Sequence, residues 1–205
     1  MHHAVVHAAG VDKRRFPTDA PCAEYLFERC WPEGAGTAMS SQVYWINVPM
    51  AGRLGIMARP RAGDWLDDEI SGWRAQSIDI VISLLEQEEV SELGLQREAG
   101  LCREQGMEFL SFPIPDRGVP ESLRDALALA QAVATKIGEG RAVAVHCRAG
   151  IGRSSLIAAC ALVCLGSDPA TAFEVIGEAR GVSVPDTQRQ RDWVTAFRDS
   201  AIAAG

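Results

Sequence analysis

The chain is 205 residues long and 47% hydrophobic, which is enough to build the core of one domain. Its formal net charge of −7 at pH 7 argues against a nucleic acid or an anionic membrane as a general partner. The longest apolar run, residues 156–165, falls far short of the ~20 residues that are needed to cross a bilayer.

The N-terminal segment lacks the regular hydrophobic pattern of the rest of the chain. We therefore divide the sequence into an N-terminal extension, residues 1–40, and one domain, residues 41–205. Because clear patterning begins shortly after Met39, we hypothesise that this methionine is the physiological start and that the preceding residues are an over-extended gene model.

Strand-like and helix-like patterns alternate from residue 43 onward. Asp64 is predicted to cap the first helix, whose apolar side carries Trp65, Ile70 and Trp73. Pro120 suits the first turn of a later helix. This alternation predicts an α/β domain with a central, mainly parallel twisted sheet and helices on both faces. The predicted strands are 43–48, 54–58, 79–85, 107–112 and 142–145, and the predicted helices are 64–76, one or two within 88–105, 120–137, 156–165, 169–179 and 187–203.

A proline-flanked aspartate follows the fourth predicted strand, within Phe112-Pro-Ile-Pro-Asp-Arg-Gly118. Pro113 and Pro115 prevent a simple continuation of the strand. Asp116 is therefore predicted at the tip of a loop, 31 residues before Cys147. An aspartate beside glycine and proline also organises turns, so this position alone leaves a structural and a chemical role open.

The most informative segment is Val145-His-Cys-Arg-Ala-Gly-Ile-Gly-Arg-Ser-Ser155, between a predicted buried strand and a predicted buried helix. Cys147 is thus expected on a strand-to-helix turn, where backbone N–H groups and the helix N-terminus attract anions. Gly150 and Gly152 let the backbone curl, and Arg153 can bind two phosphate oxygens at once. The same positive environment favours the thiolate of Cys147, which is the nucleophilic form.

This segment resembles the signature of the cysteine-dependent protein tyrosine and dual-specificity phosphatases: His, Cys, five residues, Arg, then Ser or Thr. The loop around Asp116 is most similar to that of the cyclin-dependent-kinase-associated phosphatase subgroup. The resemblance covers about 43–200 and implies a phosphocysteine intermediate at Cys147, with Asp116 acting first as acid and then as base. It implies that the following residues hold the phosphate: Arg148, Ala149, Gly150, Ile151, Gly152 and Arg153.

The resemblance also gives supporting roles to three other residues. Ser154 is expected to hydrogen-bond the Cys147 sulfur and help it leave, although it can equally satisfy free donors at the helix N-terminus. His146 is expected to fix the loop and keep Cys147 ionised. Gln190 matches a water-positioning glutamine of some relatives, but with Thr187 it also forms a capping box for the last helix, which we favour.

The predicted substrate is a phosphoprotein or another phosphomonoester. Tyrosine-specific relatives carry a tyrosine-bearing loop that deepens the pocket, and neither Tyr25 nor Tyr44 has such a context. A shallower pocket is therefore expected, which phosphoserine, phosphothreonine and phosphotyrosine can all enter. Lipid phosphatases of the superfamily tend to carry two loop lysines, whereas this loop has Arg148 and Ile151.

Hydrolysis of a non-protein phosphate and a catalytically idle phosphate-binding module stay open as alternatives. Arg117 and Arg148 either attract substrate or are solvated surface residues.

The cysteine pattern bears on cofactors and on location. None of the six cysteines forms a C-x2-C pair, so no zinc site is predicted, and the expected chemistry needs no metal or other cofactor. A nucleophilic thiol requires a reducing compartment, which points to the cytoplasm. Cys160 and Cys164, one helical turn apart, are predicted to be core residues.

Overall fold

The computed structural model describes residues 41–203, so the predicted extension and the proposed start at Met39 lie outside the described residues. Five strands and seven α-helices follow one another along the chain, together with a short 3-10 turn over Gly63–Trp65. The strands are β1 (Tyr44–Ile46), β2 (Arg53–Ala58), β3 (Ile80–Ser83), β4 (Glu108–Ser111) and β5 (Ala142–Cys147). The helices are α1 (Leu66–Ala75), α2 (Gln87–Glu92), α3 (Glu98–Glu104), α4 (Leu123–Gly138), α5 (Arg153–Cys164), α6 (Pro169–Arg180) and α7 (Gln188–Ala203).

The strands form one sheet in the order β1-β2-β5-β3-β4. Strand β1 runs antiparallel to β2, and all other pairings are parallel. The predicted α/β fold with a mainly parallel sheet is therefore confirmed. In the register, Cys147 at the end of β5 is opposite Ala58 of β2, and the preceding His146 is opposite Ser83 of β3. Parallel strands thus end together at the edge where open α/β sheets bind ligands.

Helices cover both faces of the sheet, which is why β5 is buried at every residue. Val143 and Val145 belong to a core that includes residues of α4, α5, α6 and α7, whereas Ala144 belongs to a second core with residues of α1 and α3. Successive strand residues point to opposite faces, so one strand serves both cores. An unbroken apolar strand is the sequence pattern that this arrangement requires.

Helix α5 is buried on every side from Arg153 to Val163. Its sequence is apolar all round because it lies inside the domain and has no face for water. Among the helices of residues 41–203, none combines the length and the apolar character that a membrane span requires.

Two predicted helix starts were wrong. Asp64 lies in the 3-10 turn, and α1 begins after Trp65 without a side-chain cap. Trp65 was expected on the apolar side but is 55% exposed, with the guanidinium of Arg61 over its ring at 4.7 Å. Pro120 precedes helix α4, because Ser122 is the N-cap and its hydroxyl accepts from the Asp125 N–H at 3.2 Å.

Candidate active site

The predicted nucleophile lies at the carboxyl edge of the central strand. Cys147 is the last residue of β5, and Arg153 is the first residue of α5. The backbone between them makes a tight turn, so residues 147–153, called the phosphate loop below, lead directly into the N-terminus of α5. The strand-to-helix turn predicted from the sequence is therefore present, with the nucleophile and the arginine at its two ends.

Free backbone donors line the phosphate loop. Within residues 41–203, no N–H group from Arg148 to Arg153 donates a hydrogen bond to a protein acceptor. Two carbonyls of the loop are bonded instead: those of Ala149 and Gly150 accept from Arg180, at 3.4 and 3.1 Å. A run of successive unpaired N–H groups forms a nest for an anion. The loop thus has the backbone needed to hold phosphate oxygens.

The two glycines of the loop are required for different reasons. Gly150 has a φ of +67°, and a Cβ there would lie 2.5 Å from the carbonyl carbon of Met57. At Gly152 a Cβ would overlap the carboxylate of Asp186. Ile151 between them is buried and packs in the main core, so it anchors the loop through its side chain.

The Cys147 thiol lies at the bottom of this loop, with only 3% of the residue exposed. Its Sγ is 3.6 Å from Oγ of Ser154, which is completely buried. When the sulfur is a thiolate, the hydroxyl is the donor in this pair, because a thiolate can only accept. The predicted Ser154–Cys147 contact is thus present in the structure.

Arg153 is buried to 1% exposure, and Glu89 of α2 holds its guanidinium through two hydrogen bonds, at 2.6 and 2.9 Å. The carbonyls of Leu84 and Ile114 also accept from its Nη1.

Burial alone would lower the pKa of Arg153, but the Glu89 bonds, followed by the charges of Cys147, Glu89 and Asp116, raise it. Burial likewise opposes ionisation of Glu89, yet the bonds to Arg153 lower the pKa of Glu89 overall. The guanidinium is therefore a permanent, oriented cation with its Nε unbonded within the described residues.

Asp116 is brought next to this arginine although the two are far apart in sequence. The acid loop, defined here as residues 112–118, turns at its tip through a hydrogen bond from Gly118 N–H to the Pro115 carbonyl at 2.7 Å. Arg117 has a φ of +54° in this turn. Asp116 is 60% exposed, and its Oδ1 is 3.2 Å from Nη2 of Arg153. A phosphate on Arg153 would therefore lie within reach of the Asp116 carboxyl group.

His146 points away from the phosphate loop. Alternation along β5 directs its side chain to the opposite face from Cys147, where its ring centroid is 6.1 Å from that of Trp73. Its Nε2 is 2.9 Å from Oε1 of Glu98, and both side chains are almost completely buried. Any influence of His146 on Cys147 therefore passes through the backbone that they share, and its supporting role stays a prediction.

Gln190 caps the last helix through its backbone and reaches the acid loop through its side chain, and its water-positioning role stays a prediction. Its backbone N–H donates to the Thr187 hydroxyl at 3.2 Å, as a cap at the start of α7 requires. Its side chain does not complete the capping box, because Nε2 donates to the Gly118 carbonyl of the acid loop at 3.0 Å. Gln190 is fully buried and directly links the last helix to the acid loop.

Arg148 contacts two carboxylates rather than pointing freely into solvent. Its guanidinium is 3.3 Å from Oε1 of Glu92 and 4.0 Å from Oε1 of Glu89, and its side chain is 34% exposed. Its contribution to phosphate binding is therefore expected through its backbone N–H, as for Ala149.

Three supporting residues were not found from the sequence: Glu89, Glu98 and Arg180. Glu89 was visible only as part of a helix-start pattern with Glu86, a capping box that the structure does form. Arg180 holds two loop carbonyls, and its guanidinium lies over the Tyr44 ring at 4.1 Å. Nothing local in the sequence marks these residues as buried, because their partners are distant along the chain.

Together the fold and the site define a class, the cysteine-based phosphatases of the protein tyrosine and dual-specificity type. A family model described as polymorphic toxin system, DSP-PTPase phosphatase matches residues 55–167, more than half of the chain. The chain belongs to this family.

Curated relatives agree with this assignment. The cyclin-dependent kinase inhibitor 3 of Rattus norvegicus is 30% identical over 117 residues, which are 56% of this chain and 55% of the rat protein. The protein of the same name from Homo sapiens is 28% identical over 117 residues, with the same shares of the two chains. The chain thus spans about half the length of the curated relatives that it matches.

Solved structures show the same fold. Kinase associated phosphatase, with its catalytic-site cysteine replaced by serine, superimposes with a TM-score of 0.73 at 22% identity, covering 80% of this chain and 98% of that one. PTPMT1 in complex with PI(5)P gives a TM-score of 0.63 at 21% identity, covering 78% and 98%. At these identities the likeness concerns the fold alone.

Proposed function

We propose that this protein hydrolyses phosphate monoesters on proteins by way of a phosphocysteine intermediate at Cys147. The observation that carries the proposal is the phosphate loop, in which unpaired N–H groups and the buried Arg153 surround one thiol. Such a site binds a phosphate dianion and places sulfur behind phosphorus. Membership of the phosphatase family supports the same chemistry.

In the first step the Cys147 thiolate attacks phosphorus and the bond to the substrate oxygen breaks. Loop N–H groups and Arg153 stabilise the charge on the equatorial phosphoryl oxygens. Asp116 donates a proton to the departing oxygen, which makes a hydroxyl group the leaving species. Because Asp116 contacts Nη2 of Arg153 in the structure, substrate entry has to displace its carboxyl group from the arginine.

In the second step water attacks phosphorus as one of its protons passes to the Asp116 carboxylate, and the sulfur leaves as a thiolate. The Ser154 hydroxyl donates to that sulfur, since it lies 3.6 Å away. A hydrogen bond to a developing thiolate lowers the energy of the leaving group. The loop then releases inorganic phosphate and returns to its starting state.

The proposed substrate class is phosphorylated protein rather than phosphorylated lipid. Arg148, the basic loop residue beside the nucleophile, is paired with Glu92, and Ile151 is buried, so the loop presents little extra charge for a multiply phosphorylated headgroup. The one tyrosine in residues 41–203, Tyr44, lies beneath Arg180. A shallow site open to phosphoserine, phosphothreonine and phosphotyrosine is therefore expected. The name of the kinase-associated relative makes a phosphorylated kinase a reasonable first protein to try.

The test is hydrolysis of p-nitrophenyl phosphate in EDTA with a thiol reductant, comparing wild type with Cys147→Ser and Asp116→Asn. We expect metal-independent turnover that the serine variant abolishes and the asparagine variant lowers by about 10²- to 10⁴-fold. Equal activity in all three proteins would refute the proposal.

Parallel kinetics on phosphopeptides and on phosphoinositides then decides the substrate class, and a preference for the lipids would contradict the protein-phosphatase assignment.

A further inference from the structure

A buried glutamate, Glu98, lies against His146 on the face of the sheet opposite Cys147. Glu98 is in the first turn of α3, yet it is only 1% exposed, and His146 is completely buried. Its Oε1 lies 2.9 Å from Nε2 of His146. Within residues 41–203 no lysine or arginine pairs with Glu98. Because a glutamate is almost never fully buried without a partner, the imidazole ring is the group that has to balance its charge.

The groups around this pair offer Glu98 no other counter-charge. The Trp73 ring centroid is 6.1 Å from that of His146, and Ser83 is opposite His146 in the β3–β5 register. Burial raises the pKa of Cys102 on α3 to about 12, and the Glu98 charge adds to this effect. The Oε1 and Nε2 atoms are close without the alignment of a hydrogen bond. Their attraction is therefore that of opposite charges, with a proton on the ring.

Such a pair is poorly explained by stability alone. Replacing a buried ion pair by apolar side chains of similar volume is often neutral or stabilising, because no charge then has to leave water. The surrounding core already contains Leu95, Leu101 and Cys102 from the same part of the chain, so a leucine at position 98 would match its neighbours. A carboxylate at this position is better explained by a role in the site on the other side of the strand.

His146 connects this pair to both the nucleophile and the arginine. It directly precedes Cys147 in β5, and its carbonyl accepts from the Leu84 N–H at 3.0 Å. The Leu84 carbonyl in turn accepts from Nη1 of Arg153 at 3.4 Å. A shift of His146 would therefore move the residue that carries the thiol and the backbone that supports the guanidinium.

We propose that Glu98 is a positioning residue, which fixes His146 and thereby sets the Cys147 sulfur and the Arg153 guanidinium relative to each other. The inference rests on the proposed function, because this alignment matters for attack on a bound phosphate. Glu98 touches neither the substrate nor a reacting atom, and its effect reaches them through His146 and Leu84. A misplacement of reacting groups by about 1 Å costs up to about 10²-fold in rate, so a distant carboxylate can control turnover.

The test is Glu98→Leu, which leaves no buried charge because His146 can lose its proton. We expect an unfolding midpoint in urea equal to or above that of wild type, and a kcat/KM on p-nitrophenyl phosphate lower by about 10- to 10²-fold. Alkylation of Cys147 by iodoacetate, followed by mass spectrometry of its peptide, should also slow, which a purely structural role would not cause in a folded protein. Glu104→Leu, at an exposed glutamate of the same helix, is the matched control and should behave as wild type.

A double variant tests whether Glu98 acts through His146. In a His146→Asn background, Glu98→Leu should change kcat/KM and the alkylation rate by less than twofold. Losses that multiply in the double variant would overturn the inference, as would a Glu98→Leu protein with both rates within twofold of wild type.

Glu98→Gln removes the charge and keeps the shape, so it gives a second reading if the leucine variant does not fold. Its kcat/KM and its alkylation rate should both fall, and unchanged rates would again overturn the inference. Wild-type turnover that survives Cys147→Ser would instead contradict the proposed function. Alkylation needs no turnover, so the two failures are distinguishable.

Discussion

The phosphate loop and the acid loop meet at one site but are built in different ways. Residues 147–153 are largely buried, and side chains from α2 and α6 fix them through Glu89 and Arg180. The first half of the acid loop is also fixed, because Ile114 is buried and bonds Leu84 and Arg153 through its backbone. Its tip, however, projects Asp116, which is 60% exposed, and is held by a turn bond and by Gln190. Anion binding needs fixed dipoles, whereas proton transfer needs a group that can approach and leave. Substitutions around the first loop should therefore affect folding and activity, and those at the tip of the second should affect activity alone.

The largest effect is expected from Arg153→Lys. Lysine keeps the charge but loses the planar fork that Glu89 orients, so kcat/KM should fall by about 10²- to 10³-fold. Steady-state kinetics on p-nitrophenyl phosphate measures this loss. The control is Arg103→Lys, at an exposed arginine on α3. A kcat/KM within twofold of wild type would show that bidentate binding at Arg153 is unimportant.

Glu89→Gln should be the most destabilising change at the site. It leaves the buried Arg153 without its counter-charge, and breaking a buried pair from one side costs about 3–5 kcal/mol of unfolding free energy. Urea unfolding measures the loss. The partly exposed Arg148–Glu92 pair gives the control, because Glu92→Gln should cost less than about 1 kcal/mol. Equal losses in both variants would refute the view that α2 fixes the arginine.

A smaller effect is expected from Arg180→Met. The carbonyls of Ala149 and Gly150 would lose their donors, at a cost of about 1–3 kcal/mol in unfolding free energy. Because the carbonyls orient the N–H groups of the loop, affinity for vanadate or inorganic phosphate should fall as well. Competitive inhibition assays measure this affinity. Weaker stability with unchanged phosphate affinity would mean that Arg180 only packs against Tyr44 and does not shape the loop.

The effect with the narrowest range of conditions is a loss of stability in acid. Although burial opposes them, hydrogen bonds to Arg153 lower the pKa of Glu89 in the folded state. The stability that ionised Glu89 gives the folded protein is therefore complete above the usual glutamate pKa. It is lost as the pH falls through the lower pKa of the folded state. Unfolding curves of wild type and Glu89→Gln should therefore converge as the pH drops below about 4.5. If the difference in unfolding free energy between the two proteins stays constant down to pH 3, protonation of Glu89 is not the cause of the acid effect.

The sequence predicted the larger features of the molecule because they are local in origin. All five strands and the alternation with helices followed from short apolar runs, and the observed bounds differ from the predicted ones by a few residues. The errors at Asp64, Trp65 and Pro120 all concern helix starts, where a 3-10 turn or a serine cap changed the local geometry. Such ends depend on side-chain bonds that periodicity does not reveal.

Within the site, prediction succeeded for the contiguous motif and failed for its supports. Cys147, Arg153 and Ser154 lie in one segment, so their proximity is encoded locally, and the proline-flanked loop identified Asp116. Glu89 and Arg180 reach the site only through the packing of distant elements. A glutamate in the first turn of a helix, or an arginine in the last turn of one, is ordinarily a cap or a solvated charge.

Every step of the proposed reaction requires that Cys147 carry the phosphoryl group. Acid quench of the enzyme during turnover of p-nitrophenyl phosphate, followed by mass spectrometry of the peptide containing Cys147, tests it most directly. We expect the mass of one phosphoryl group on Cys147, absent in Cys147→Ser. Phosphate on another residue, or sustained wild-type turnover with no trapped intermediate, would contradict this mechanism.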